Sequence, residues 1–235
     1  MKAIGIMSGT SLDGIDICLV NIHQIKKDYT YEIEQFKSYK YRLSLINKIK
    51  EASKNDTSTV QKICSLNYEV AYAYVEAIQQ FINDTSCNMV EVDFIAMHGQ
   101  TIWHNPNHMD GYFSSTLQIG EPAVIAYAFN KKVISNFRTM DMAAGGSGAP
   151  LIPFVNYQLY KNQNLYIESD KICGLGNVCY LKKNSSPDDV IAFDTGPGNM
   201  LIDGAMQKLY HLDYDAFGDI AKKGKMITEV LDEML

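Results

Sequence analysis

Long apolar runs are missing from this 235-residue sequence. None reaches the roughly 20 residues that a helix needs to cross a bilayer, so neither a helical span nor a membrane partner is expected. Cysteine is also scarce. The five present (Cys18, Cys64, Cys87, Cys173, Cys179) are odd in number and form no CxxC pair, which leaves no disulfide framework and no thiolate metal site. Three sit in apolar surroundings and read as small core residues of a protein from a reducing cytoplasm. Basic residues number 21 against 27 acidic ones, a net charge of −6, and the paired lysines are scattered. No nucleic-acid partner is expected from that balance. The short apolar run after Lys2 breaks at Ser8 and Gly9, so a secretory signal is not expected either.

Several motifs are absent as well. Gly218 to Lys225 has the wrong glycine spacing for a Walker A loop, and Met226 stands where Ser or Thr is needed. No GxGxxG follows a strand, and no GxSxG offers a hydrolase nucleophile.

What is present is ample core material, 46% hydrophobic residues, in a length that suits one large domain or two smaller ones. The opening stretch Gly5–Asp16 reads as strand, tight turn, strand, with Gly9 and Gly14 giving the turn its backbone freedom. Its free N–H groups, the hydroxyls of Ser8, Thr10 and Ser11, and the carboxylates of Asp13 and Asp16 suit phosphate oxygens with a hydrated Mg²⁺ beside them. A merely polar hairpin turn has the same composition.

Further along, residues 31–39 suit a third strand and 43–49 a short helix. A long helix is expected from a Ser58-x-x-Gln61 capping box, with a stripe through Val60, Ile63, Cys64, Asn67, Val70, Ala71, Tyr74, Ile78 and Phe81. A buried strand over Val92–Met97 delivers His98-Gly99-Gln100-Thr101-Ile102-Trp103-His104 past its carboxyl end, where α/β sheets gather ligands. His104 and His108 are four apart, but Pro106 between them argues against a helix presenting both to a metal. Pro122 suits the first turn of a helix through Phe129. After a short strand at Val133-Ile134, Asn136–Pro150 places Arg138 and Asp141 ahead of a glycine-rich loop, which reads either as a ligand-approaching loop or as an interdomain linker with a surface ion pair. Lys171–Leu181 echoes the first hairpin and hints at a duplicated unit. Val190–Phe193 then runs into Asp194-Thr195-Gly196 and a helix start, a combination suited to a phosphate–metal group.

Taken together, Gly5–Asp16, His98-Gly99-Gln100-Thr101 with Trp103-His104, Leu117–Glu121, Asn136–Pro153 and Phe193–Asp203 closely resemble the anhydro-N-acetylmuramic acid kinases. These are sugar kinases of the actin-like, sugar kinase and Hsp70 ATPase group. The resemblance implies an α/β protein of two RNase H-like lobes with mixed sheets and flanking helices, residues 1–135 and 136–235, the second lobe incomplete. It implies ATP and Mg²⁺ as cofactors, a small-molecule sugar as partner, and a homodimer as an open assembly state. The reaction expected is hydrolysis of the anhydro bridge of 1,6-anhydro-N-acetylmuramic acid coupled to phosphorylation of O6. The alternative is an inactive remnant that binds sugar or a partner chain.

By the same resemblance, Gly9, Thr10, Ser11, Leu12, Asp13, Gly14, Ile15 and Asp16 form the ATP phosphate loop, joined by Asp194 and Gly196. Asp13 and Asp194 are the expected metal carboxylates. Asp141 is the expected base for the attacking water, Arg138 orients groups beside it, and His98, Gln100 and Glu121 are expected near the sugar. One departure is local: Lys171 and Cys173 occupy positions that the family fills with Asn and Gly in its second hairpin. The family also continues past residue 235, so much of the adenosine pocket is expected to lie beyond this sequence.

Overall fold

The computed structural model describes residues 1–25, 28–109, 111–161, 167–172, 175–183 and 186–234. The fold is mixed α/β and divides into two compact units, Met1–Ile152 and Pro153–Leu235, so residues 136–152 belong to the first.

The first unit is built on a five-stranded sheet, in the order β3-β2-β1-β4-β7. Its strands are β1 (Lys2–Met7), β2 (Ile15–Ile25), β3 (Asp28–Tyr39), β4 (Phe94–Met97) and β7 (Lys132–Ile134). β1, β2 and β3 are antiparallel neighbours, whereas β1–β4 and β4–β7 are parallel. Register aligns the large side chains on one face: Ile4 lies opposite Leu19 and Ile95, and Ile6 opposite Ile17 and Met97. All six are buried, as alternation across a half-covered strand demands.

Against this core lie α1 (Leu43–Ala52) and the 26-residue α2 (Val60–Thr85). The buried positions of α2 are Leu66, Val70, Ala71, Tyr74, Ala77, Ile78 and Phe81, a stripe of helical period. The expected stripe was right through its second half and wrong at its start, where Val60 is 85% exposed. The cap also sits one residue later than the Ser58 box: Thr59 is the N-cap and accepts from Lys62 N at 3.2 Å. Its extended backbone leaves its own hydroxyl in reach of that orphan N–H.

Between β4 and β7 the chain forms a separate two-stranded sheet, β5 (Gln100–Asn105) with β6 (Ser115–Ile119), and then α3 (Pro122–Phe129). The stretch expected merely to follow a strand end is thus itself a strand. α4 (Phe137–Ala143) occupies the start of what the sequence suggested was a loop.

The second unit holds α5 (Ile152–Tyr160) at its border, the antiparallel sheet β10-β9-β8, α6 (Asn199–Tyr210) and α7 (Thr228–Met234). Its strands are β8 (Ile167–Ile172), β9 (Leu175–Leu181) and β10 (Ile191–Pro197). The second hairpin is therefore present, with Lys171 opposite Asn177; Cys173 lies outside the described residues. Cys179, Leu181 and Met206 are buried there, but Ile191, Phe193, Leu201 and Ile202 are each more than half exposed, so the described core of this unit is thin.

Gly120 shows how tightly α2 meets the loop before α3. Its φ is +113°, and an added Cβ would come within 2.6 Å of the Tyr74 ring. Gly120→Ala is therefore expected to cost about 3 kcal/mol through overpacking and backbone strain. Denaturant unfolding checks this, and an unchanged midpoint would show that the ring can move aside.

Candidate active site

The β1–β2 turn spans residues 8–14. Its left-handed residue is Leu12 (φ 58°), not a glycine, and Leu12 is buried. Gly14 is required for a different reason from the one expected: a Cβ there would stand 2.8 Å from the Tyr39 carbonyl oxygen. Leu12 N donates to Gly9 O at 3.2 Å, closing the turn. Thr10, Ser11 and Asp13 are exposed on it, and the Ser11 hydroxyl donates to Asp13 Oδ1 at 2.9 Å. Asp16 lies on β2 and accepts from the Ser38 hydroxyl. Ile15 is a core side chain, 2% exposed, and could meet a ligand only through its backbone.

Beneath the turn runs a buried polar chain. Ser8 Oγ lies 2.6 Å from the Tyr74 hydroxyl, and the Tyr41 hydroxyl 3.5 Å from that of Tyr74. Tyr41 donates to Gln100 Oε1 at 3.3 Å, and Gln100 Nε2 donates to Gly9 O at 3.1 Å. Burial pushes both tyrosine phenols above their ordinary pKa, so they stay protonated and able to donate.

A second cluster gathers around α4. Arg138 and Asp141 are three apart, so one helix turn puts them on neighbouring positions. Arg138 Nε donates to His98 Nε2 at 2.8 Å, and its NH1 donates to Gly148 O at 2.7 Å. Gly148 N donates to Asp141 Oδ2 at 2.7 Å. Gly146 is packed so closely on the same carboxylate that a Cβ would stand 2.3 Å from Oδ2. Asp141 Oδ1 takes no hydrogen bond among the described residues, and the side chain is half-buried. The carboxylate is thus aimed by one oxygen and open at the other.

His98 is fully committed. Its Nδ1 lies 2.8 Å from Gly99 O, a group that can only accept, and its Nε2 faces a guanidinium that can only donate. The neutral Nδ1–H tautomer follows. Burial first, and the Arg138 charge after the opposing Gly99 contact, hold its pKa below 6.5. Burial likewise lowers Arg138.

Glu121 caps α3. Its Oε1 accepts from Ala123 N at 3.2 Å and its Oε2 from Asn67 Nδ2, also at 3.2 Å, while Asn67 Oδ1 takes Gly120 N at 2.7 Å. Asn67 was missed as a site-shaping residue, although a polar side chain inside an apolar helical stripe signals a buried partner. His98 and Glu121 share a cavity of about 290 Å³ with Asn67, Gln118, Ser135 and Asn136, at the carboxyl ends of β4 and β7. Gln118 has a buried amide oxygen without a hydrogen-bond partner among the described residues. Gln100 instead borders a cavity of about 480 Å³ with Thr10, Leu12, Trp103 and His104. A larger cavity, about 690 Å³ along α1 and α2, holds none of the expected catalytic or sugar residues.

In the second unit, Asp194 is exposed on β10 opposite Asn177. The register shifts between Asp194 and Gly196, where Gly196 has φ +127°.

The family model for anhydro-N-acetylmuramic acid kinase matches residues 1–235. The chain belongs to that family. An anhydro-N-acetylmuramic acid kinase of Bacillus cereus (strain ATCC 14579) is 47% identical over 231 residues, covering 98% of this chain and 59% of the relative. The protein of that name from Clostridioides difficile (strain 630) is 44% identical over 235 residues, covering 100% and 61%. The chain thus spans about three-fifths of the length of these curated relatives. Among solved structures, YeaZ from Pseudomonas aeruginosa aligns with 84% of the chain and 68% of its own at 11% identity, with a TM-score of 0.28, a likeness too slight to carry an argument.

The depressed pKa of His98 has a testable sign. The folded state binds fewer protons at this site than the unfolded chain, so the stabilisation is complete above about pH 6.5 and is lost as pH falls through the lower folded value. Between about pH 7 and about pH 5, wild-type unfolding free energy should fall more steeply than that of His98→Gln. Equal slopes would mean that His98 titrates as an exposed histidine does.

Proposed function

We propose that this chain carries the catalytic carboxylate and the phosphate turn of an ATP-dependent anhydro-sugar kinase. Its substrate is 1,6-anhydro-N-acetylmuramic acid and its product N-acetylmuramic acid 6-phosphate. Family membership over residues 1–235 supports the reaction class. The single observation that carries the mechanism is the arrangement of Asp141, anchored through Oδ2 by Gly148 N and unpartnered at Oδ1 among the described residues.

In this reading Oδ1 accepts a proton from water as the water oxygen bonds to the anomeric carbon. The bond from that carbon to O6 breaks, O6 takes the γ-phosphoryl group, and ADP leaves. General-base help of this kind contributes roughly 10²–10⁴-fold. Arg138 acts by position: with Nε on His98 and NH1 on Gly148 O, it fixes the loop whose N–H aims the carboxylate. The sugar is assigned to the cavity of His98, Gln118 and Glu121 at the carboxyl ends of β4 and β7. His98 shapes that wall as a neutral ring.

The turn Gly9–Asp16 is assigned to the ATP phosphates, with Asp13 as a carboxylate that would hold Mg²⁺. In the second unit, taken by itself, Asp194 beside Gly196 is the carboxylate that would serve a metal. Asp13 and Asp194 are exposed, and Asp13 Oδ2 takes no hydrogen bond among the described residues; carboxylates, hydroxyls and water are the donor set this cation takes. The ion supplies charge neutralisation during phosphoryl transfer. Such a metabolic kinase would work in the cytoplasm on a small molecule, as a monomer or a homodimer.

The test is coupled ADP release with and without 1,6-anhydro-N-acetylmuramic acid. Sugar-dependent release is expected, and Asp141→Asn should lower it by about 10²-fold or more with folding intact. A folded chain without sugar-dependent release would point to a binding remnant instead, and an unchanged rate in Asp141→Asn would remove this residue from the base role.

A further inference from the structure

The buried chain under the β1–β2 turn has a fixed direction between Gly9 and Tyr41. Gln100 Nε2 faces two carbonyl oxygens, Gly9 O at 3.1 Å and Thr101 O at 3.4 Å. Carbonyls only accept, so the amide nitrogen must lie on that side and Oε1 on the other. Oε1 therefore needs a donor, and the Tyr41 hydroxyl supplies it at 3.3 Å. That commits the single proton of Tyr41. Its oxygen then leads on to the hydroxyl of Tyr74, 3.5 Å away, and from there to Ser8 Oγ at 2.6 Å.

None of these side chains meets solvent appreciably: Gln100 and Tyr74 are 0% exposed, Ser8 2% and Tyr41 7%. The chain begins and ends on consecutive residues of one turn, the Ser8 side chain and the Gly9 carbonyl. It grips the turn from within, while Thr10, Ser11 and Asp13 are exposed on the outside. Gln100 lies on β5, Tyr74 on α2, and Tyr41 just before α1. Three separate elements therefore converge on two residues of a loop.

We propose that Gln100, with Tyr41 and Tyr74, is a positioning residue that sets the Ser8–Gly14 turn for the phosphates of a nucleotide, in place of contacting the sugar. The proposal rests on the kinase reading for its ligand and on the hydrogen-bond geometry for its mechanism. A buried network of this kind is costly when one member is removed, because the remaining groups stay dry and unpaired.

The experiment has two readouts. In nucleotide-free protein, amide hydrogen exchange is measured across residues 8–14 for wild type, Gln100→Ala, Tyr41→Phe and Tyr74→Phe. The Leu12 N–H, which donates to Gly9 O, should exchange about tenfold faster or more in the variants, with the amides of α2 unchanged. In steady-state kinetics, KM for ATP should rise roughly five- to tenfold, with KM for the sugar held within about twofold. The phenylalanine variants keep their rings in the core and carry the test if Gln100→Ala does not fold. Unchanged exchange at Leu12, or a rise confined to the sugar KM, overturns the proposal. Wild-type protein without sugar-dependent turnover would sink the kinase reading alone; the exchange result would still decide whether this chain of hydroxyls holds the turn.

Discussion

The fold of the first unit depends on how a loop that must stay polar on its outside is held from its inside. Ser8 and Gly9 leave the edge of a hydrophobic layer formed by Ile4, Ile6, Ile17, Leu19, Ile95 and Met97, all buried. A turn of small residues has little apolar surface with which to anchor itself, and Leu12 is the one large side chain it buries. The rest of the grip is polar and dry: Tyr74, Tyr41 and Gln100 reach the turn with hydroxyl and amide groups that are themselves satisfied. In that setting each hydrogen bond is worth more than it would be in water, and each one lost leaves a desolvated partner behind. The same ring of Tyr74 forbids a side chain at Gly120, so the position of α2 is tied at once to the turn and to the start of α3.

The α4 cluster uses a related device. An isolated Arg–Asp pair three residues apart on a helix would neutralise itself and do little else. Here the guanidinium is drawn off to His98 and to the Gly148 carbonyl, and the carboxylate is given a backbone N–H in its place. With Arg138 occupied elsewhere, Asp141 keeps one oxygen without a hydrogen bond among the described residues. His98, read from the sequence as a sugar contact, acts first as an acceptor for Arg138, which requires its neutral form. Glu121 is similarly engaged, capping α3 with one oxygen and holding Asn67 with the other.

Much of the architecture was legible in the residues. Alternation marked β1 and β2, a 3.6-residue stripe marked α2, and Pro122 marked the start of α3, because each is a local pattern with a local cause. The stretch 100–119 was harder. Its strands pair only with each other, away from the main sheet, and no periodicity announces such a pairing. α4 was masked by the glycines that follow it, whereas Asn67 carried a signal, a polar side chain in an otherwise apolar stripe, without naming its partners Gly120 and Glu121.

The family motifs named Asp141, Arg138, His98, Gln100 and the Gly9–Asp16 turn as a set, since residue types at fixed spacing are a property of the sequence. So is the mixed α/β class, which the family resemblance implied and the strand and helix patterns agreed with. What each of these residues touches is not. That Gln100 faces the Gly9 carbonyl, 91 positions away, and that His98 meets Arg138, 40 away, depends on which strands become neighbours. Those neighbours are chosen by the burial of the shared isoleucine layer, a long-range condition that only the folded chain satisfies.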